Sequence, residues 1–478
     1  MTQLLILGFL AGCSGPPAIP ETEPAVAGPY ERRHVLLLTV DTLRWDHLSI
    51  NGHPDPTSPA IDKLMKRGVI FNRALAPVAR TTPSLTSVLS GRYPQRHRVR
   101  TLFDRLDQDV PTLANVAKRD GFRTVAVISN NVLKRKRGLA KGFDVYDYGG
   151  DKRDAAGTTQ AAIQALSQVG DADKAFVWVH YIDPHVPYRP PEQYAKAFDP
   201  GYQGRYPTYF GDTQGGAGDD AYPAELGKRK AVFNNPLDEA TNAHIKKLYA
   251  ADVRGTDDAI AELLAFVNER FGDDFTIVFT ADHGESQGEH GYFWDHGDYV
   301  WMPGLHVPLS ITLAADDPLY RQGAVDQWVS LTDVAPTLVD LMQLRWNKTQ
   351  LMDGRSLVPA LEGNSIPDRP VFAESGRSFF FDEVDGRVTN DVAGRFRAVI
   401  DGDFKLIWTP GAIEAEYRLF NLNADPHEQT DIAAGNAETV AALKGHLVQW
   451  MSGATAEPAS EPDADDLEQL EALGYIGD

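Results

Sequence analysis

Apolar runs of strand length recur along this chain, and each stops at a polar or acidic residue. HVLLLTV at 34–40 meets Asp41, and TVAVIS at 124–129 meets Asn130 and Asn131. AFVWVH at 175–180 runs on to Asp183 and His185, and FTIVFTA at 275–281 closes on Asp282 and His283. Continuous rather than alternating apolar runs are what strands buried on both faces require. Between them the period becomes helical. TSPAIDKLMKRG offers Ser58 as a cap with Pro59 at the first helical position, VPTLANVAKR at 110–119 stops at Gly121, and a long helical segment covers roughly 240–268. A strand at 307–313 and a helix at 333–343 follow. The alternation predicts an α/β fold with a large mixed, mostly parallel central sheet flanked by helices. Such sheets bind ligands beyond the carboxyl ends of their strands, where the polar residues of this chain collect.

From about residue 370 the runs shorten to VFAES, RFRAVI, FKLIWT and YRLFNL, with turn residues at Asp401-Gly402 and from Asn423 to Pro426. That change predicts a small C-terminal antiparallel subdomain closed by a helix at 435–451. The expected division is 1–30 signal and linker, 31–368 main α/β domain, 369–452 C-terminal subdomain, and 453–478 acidic linker and terminal helix. Residues 197–230, rich in Gly, Tyr and Asp, read as a long surface insertion near the rim of the site. No internal repeat is apparent.

A formal charge of −21 argues against a nucleic-acid partner, which would require a basic face. The basic run Lys134 to Arg137 is a local exception, read as a solvated segment or as an attractor of an anionic substrate. A single cysteine excludes an internal disulfide framework. That residue, Cys13, follows the apolar run QLLILGFLAG and precedes a Pro/Glu-rich linker, which resembles a bacterial lipoprotein signal although no basic residue precedes the run. The apolar run is too short to span a bilayer. The expectation is a periplasmic or outer-membrane lipoprotein whose only membrane contact is its N-terminal lipid anchor.

Thr81 opens a helical run, ARTTPSLTSVLSGRYP, between two groups of metal-ligand residues far apart in sequence. Two aspartate oxygens and an imidazole nitrogen, from Asp41, Asp282 and His283, suit a divalent ion such as zinc or manganese. Calcium prefers all-oxygen ligation, so His283 weighs against it. His296 lies in FWDHGD, and Asp183 and His185 lie in YIDPHVPY. Taken singly, each has an ordinary explanation as a turn cap or a satisfied core histidine; their gathering after strand ends does not. Trp45, Tyr188 and Trp294 near these runs suggest an organic leaving group, with core packing as the plainer explanation.

Together, VDTLRWDHLSI, TTPSLTSVLSGRYP, KGFDVYD, HYIDPHVPY, ADHGESQGEHG, HVPLSI, LTDVAPTLVDL and YRLFNLNADPHEQTD resemble the sulfatase-like branch of the alkaline phosphatase superfamily from about residue 34 to 450. The resemblance implies a divalent ion held by Asp41, Thr81, Asp282 and His283, with Thr81 as the nucleophile. It also implies that His185 and His296 bind the transferred group or protonate the leaving oxygen, with Asn130 near the pocket. A second ion, held by Asp183, His185 and His296, stays open. Sulfatases of the family need a cysteine or serine that becomes formylglycine, whereas here the position is Thr81, whose branched β-carbon cannot give the aldehyde. Leu85 replaces a supporting arginine, and Thr42 replaces a second aspartate. The resemblance therefore implies a metal-dependent hydrolase of phosphate diesters, monoesters or phosphonate monoesters acting through a covalent phosphothreonine. A sulfuric-ester hydrolase without formylglycine is the alternative, and a phosphotransferase or a non-catalytic binding lipoprotein are further ones. The partner on any enzymatic reading is a small phospho- or sulfo-ester.

Overall fold

The computed structural model describes residues 34–150, 153–170, 173–203, 237–347, 351–379, 388–389, 395–409 and 416–452. The lipoprotein signal with Cys13, most of the 197–230 insertion and the terminal helix lie outside them. Among the described residues no helix is long and apolar enough to cross a membrane.

The central sheet has eight strands in the order Gly323–Val325, Val69–Phe71, Leu309–Thr312, Phe275–Ala281, His34–Val40, Ala175–Tyr181, Arg123–Ile128 and Val145–Tyr148. From Phe275–Ala281 to Val145–Tyr148 every neighbouring pair is parallel. Leu309–Thr312 runs antiparallel to both of its neighbours, which makes the sheet mixed. The three apolar runs at the centre are buried along their whole length, as continuous hydrophobicity requires. Helices cover the sheet, the longest being Glu239–Phe271, whose N-cap Asp238 accepts from Thr241 N.

Local chemistry explains where the helix expectations shift. The helix expected from 110 begins at Leu113, because Thr112 and Asn115 form a reciprocal capping box. Pro59 does open its helix, but the Ser58 hydroxyl donates to Asp62 Oδ1 (2.7 Å) instead of capping the main chain. The basic run is not a free solvated segment. Arg137 is buried, donates to Phe103 O (2.6 Å) and lies over the Phe103 ring, while Arg135 donates to Tyr146 O (2.7 Å).

The C-terminal sheet is antiparallel throughout, in the order Val388–Thr389, Val371–Phe379, Arg395–Asp401, Phe404–Thr409 and Glu416–Asn421. Helix Ala437–Met451 packs on it through Leu443 and Leu447. Two main-chain bonds join this sheet to the site side of the larger one: Glu374 N to Pro77 O (2.9 Å) and Gly376 N to Gly297 O (2.7 Å). A fully buried ion pair adds to the seam. Lys405 Nζ reaches Val300 O (2.5 Å) and Glu428 Oε1 (2.5 Å), and Glu428 Oε2 accepts from Met302 N (2.8 Å). Removing one partner strands the other charge in the interior, so Lys405→Met is expected to cost about 3 kcal/mol in urea unfolding. The double variant Lys405→Met, Glu428→Gln should recover part of that loss.

His97 is buried against Ser87 Oγ (2.9 Å), and burial pushes its imidazole down to about 3. An unfolded histidine titrates near 6.5, so the unfolded chain binds a proton that the folded chain refuses. The stability this group contributes is present above about pH 6.5 and is lost as pH falls toward 3. The stability advantage of the wild type over His97→Asn should therefore narrow across that window in thermal scans.

Candidate active site

Strand register sets the first two side chains. Val40 pairs with Ala281, so Asp41 and Asp282 leave the carboxyl ends of adjacent parallel strands side by side. The ladder continues into them, with Asp41 N bonded to Tyr181 O (2.9 Å) and Asp282 N to Val40 O (3.4 Å). Asp282 Oδ1 accepts from His283 N (2.8 Å) and Thr42 N (3.2 Å), which turns Oδ2 toward His283. Thr42 sits at φ 55°, a conformation that is costly for a β-branched residue. The next residue but one after Asp282, Gly284, has no room for a Cβ, which would lie 2.1 Å from Pro303 O.

The third contribution comes from helix Thr81–Ser90, all of whose residues are buried. A sequence as polar as TTPSLTSVLS tolerates this because its hydroxyls find partners inside. Thr86, Ser87 and Ser90 donate back to the carbonyls of Thr82, Pro83 and Thr86. Thr82 Oγ1 lies within bonding distance of Leu102 O (3.0 Å) and Val132 O (3.2 Å), and Ser84 Oγ donates to Asp282 O (2.6 Å), clamping the helix start to the strand end. Gly91, at φ 70°, ends it. The helix therefore delivers Thr81 Oγ1 to 3.4 Å from His283 Nε2.

These atoms fit a cation. His283 Nε2 lies 3.5 Å from Asp282 Oδ2 and 3.7 Å from Asp41 Oδ1. Both of those oxygens are buried without a hydrogen-bond partner. His283 Nδ1 lies 2.9 Å from Gly284 O, which can only accept, so Nδ1 carries the proton and Nε2 presents a lone pair. Burial pushes His283 down to about 4, which keeps it in the neutral form a metal needs. Burial and the charge of Asp41 hold Asp282 well above the usual carboxylate range. Burial also opposes ionisation of Asp41, but the imidazoles of His180, His185 and His283 outweigh it and hold its carboxyl low. Two dry carboxylates side by side repel, and a divalent ion between them removes the conflict.

His180 is the member that sequence reading passed over. With Asp41 and Asp282 it forms a buried group whose ligand atoms all lie within 4.8 Å of one another. It sits inside an apolar strand, opposite Thr39, and Thr39 shares a sheet face with Asp41 two residues on. His180 Nδ1 lies 2.9 Å from Thr39 Oγ1, and its Nε2 lies 3.6 Å from Asp41 Oδ2 without a hydrogen-bond partner. Only pairing between strands reveals it. Asn130, after the neighbouring strand, donates through Nδ2 to Asp41 Oδ2, so its described role is to hold a carboxylate.

On the other side, the His296 ring lies 4.5 Å from that of His283 and 5.1 Å from that of His185. Asp183 does not join them. Its carboxylate takes a hydrogen bond from the Ala155 main chain, lies near Asp154 and Asp252, and is pushed up to about 6 by burial. The second-ion set of Asp183, His185 and His296 does not appear as a compact ligand group among the described residues, although Asp183 Oδ2 is buried without a hydrogen-bond partner. Glu285, which sequence reading assigned no role, lies behind His296 with its Oε2 3.3 Å from Nδ1. Of the three aromatics, Tyr188 and Trp294 are buried, the Tyr188 hydroxyl donating to Glu285 Oε1, and Trp45 stacks on His306 (4.6 Å).

The sequence profile described as Sulfatase matches residues 33–344, more than half of the chain. The chain belongs to the sulfatase family. A second profile, "N-sulphoglucosamine sulphohydrolase, C-terminal", matches residues 288–453. Arylsulfatase K of Gallus gallus is 24% identical over 454 residues, covering 86% of this chain and 81% of that protein. The phosphonate monoester hydrolase of Agrobacterium radiobacter superposes with a TM-score of 0.67 at 22% identity, covering 88% of this chain and 95% of that one. A protein solved with its substrate D-glucosamine-2-N,6-O-disulfate superposes with a TM-score of 0.69 at 18% identity, covering 88% and 98%. At these identities the two structures show a shared fold. This sulfatase-family chain thus carries a mixed α/β sheet scaffold with a candidate metal site at its strand ends.

Proposed function

We propose that this chain hydrolyses small organic esters of a tetrahedral oxyanion through Thr81, with one divalent ion held by Asp41, Asp282 and His283. The observation that carries the reading is the placement of Thr81 Oγ1 beside His283 Nε2 at a helix start, next to two unpartnered carboxylate oxygens. When bound, a zinc- or manganese-type ion would supply Lewis acidity and lower the pKa of a coordinated hydroxyl. His180 stands ready as a further nitrogen ligand beside Asp41.

The remaining chemistry belongs to the chain. Thr81 gives up its hydroxyl proton to solvent, and its Oγ forms a bond to phosphorus or sulfur as the bond to the leaving oxygen breaks. The N-terminal amides of its helix favour charge developing on the oxyanion. His296 or His185 supplies the proton that the leaving oxygen takes up. Water then attacks the covalent ester of Thr81, releasing phosphate from a monoester, a phosphate monoester from a diester, a phosphonate from a phosphonate ester or sulfate from a sulfuric ester, and restoring the hydroxyl.

The identity of the oxyanion has two readings. Threonine cannot become formylglycine, and a direct alkoxide route with a His-containing ligand set supports phosphate diesters, monoesters or phosphonates. Membership of the sulfatase family supports sulfuric esters, and the comparisons weigh more heavily on that side. Kinetics with matched aryl phosphate, phosphodiester, phosphonate and sulfate substrates separate them. A wide preference for the sulfate would overturn the phosphoester reading, and no turnover of any of the four would overturn the hydrolase. Tethering by a lipid on Cys13 remains part of the proposal and is tested by mass analysis of the mature N-terminus.

A further inference from the structure

Glu285 is wholly buried, and His296, 11 residues on, converges on it with two segments distant in sequence, those of Arg44 and Tyr188. Its Oε1 accepts from Tyr188 OH, and its Oε2 lies 3.3 Å from His296 Nδ1. Its main-chain carbonyl accepts from Arg44 Nη1 (3.1 Å), and Arg44 is itself held by Asp46 and Glu289. The backbone of His296 is tied separately, its N–H donating to Asp295 Oδ1 (2.7 Å). An imidazole has two nitrogens, so engaging Nδ1 commits Nε2 to whatever the ring does in the cleft. We propose that Glu285, braced by Tyr188, is a positioning residue that sets the orientation of the His296 ring toward the bound ester. The inference rests on the ester-hydrolase reading of the site.

A carboxyl group that merely filled space here would be a poor choice, because burying it is costly unless its hydrogen bonds do something a leucine cannot. Orienting a proton donor is such a task. The consequence is selective: a positioned acid matters most when the leaving oxygen is basic and little when it leaves readily as an anion.

The test compares wild type, Glu285→Gln and Tyr188→Phe on the 4-nitrophenyl and phenyl esters of whichever oxyanion the wild type turns over fastest. Glu285→Gln should lose about tenfold to a hundredfold more in kcat on the phenyl ester than on the 4-nitrophenyl ester, with KM little changed. Tyr188→Phe should show the same bias at smaller size. Equal losses on both esters, or a loss confined to KM, would overturn the proposal. A second arm needs no turnover: in protein labelled with ¹⁵N-histidine, the His296 Nδ1 resonance should move in Glu285→Gln. An unmoved resonance in a folded variant overturns the positioning role. A wild type inactive on every ester removes the hydrolase reading, whereas the resonance still decides the contact.

Discussion

Thr81→Ala is expected to lower kcat/KM by at least about a thousandfold, or about 4 kcal/mol, on the best ester substrate. Three features make the loss large. The hydroxyl is the only group that the start of helix Thr81–Ser90 brings to 3.4 Å from His283 Nε2 among the described hydrogen bonds. Its helix is immobilised by Thr82 and Ser84, so no neighbouring hydroxyl can swing into its place: both already bond main-chain carbonyls. The fold should survive, since removing one hydroxyl from a helix whose other hydroxyls are satisfied opens little space. Thr81→Ser is the informative companion. It retains the oxygen but lacks the methyl group that restricts its rotamer, and it should keep most of the activity. Steady-state kinetics on both variants, with matched thermal midpoints, check the prediction. Comparable activity in Thr81→Ala and wild type would remove the covalent route.

The second large effect concerns the ion. Asp282→Asn and Asp41→Asn should each weaken binding of zinc or manganese more than about a hundredfold, because a neutral amide replaces a charged donor at a site where outer-shell partners alone are worth tenfold or more. Asp282 Oδ2 and Asp41 Oδ1 are buried, lack hydrogen-bond partners and lie within 3.7 Å of His283 Nε2. Without a cation Asp282→Asn should raise thermal stability, because burial and the charge of Asp41 disfavour its carboxylate. Asp41→Asn should not, since neighbouring imidazoles and Asn130 favour the Asp41 carboxylate. In the presence of the metal the order of Asp282→Asn and wild type should reverse, because binding to the folded state stabilises only the wild type. Elemental analysis and thermal scans with and without a chelator read both halves. Wild-type stability indifferent to zinc, manganese and chelator would contradict the ligand set. His180→Asn should weaken the ion less, since the residue stands beside Asp41 and not beside Thr81.

The main architecture could be read from the chain because its signals are local. Continuous apolar runs, their carboxyl-terminal acids and the shortened strands after residue 370 each reflect burial or turn chemistry within a few residues. Asp41, Asp282, His283 and Thr81 were legible for the same reason, each standing at the junction of an element and a turn. What escaped depended on tertiary pairing. His180 lies inside an apolar strand and becomes a candidate ligand only through its register with Thr39. Glu285 follows the Asp282-His283 pair but acquires a role only when Tyr188 and His296 close around it. Asp183 misled in the opposite direction. Its place beside His185 in sequence suggested a shared site, whereas the described contacts of its carboxylate are with the Ala155 main chain and its neighbours Asp154 and Asp252, and Oδ2 stays buried without a partner. Leu85, four residues after Thr81, is fully buried within helix Thr81–Ser90.

The central claim is that the oxyanion passes through the Thr81 oxygen, whichever ester the chain prefers. Acid quenching during turnover of the best aryl ester, followed by digestion and accurate-mass peptide analysis, tests it directly. The peptide containing Thr81 should carry one phosphoryl or sulfuryl group in the wild type and none in Thr81→Ala, with the accurate mass naming the group. An active enzyme whose Thr81 peptide stays unmodified throughout turnover, or carries the group at another residue, would contradict it.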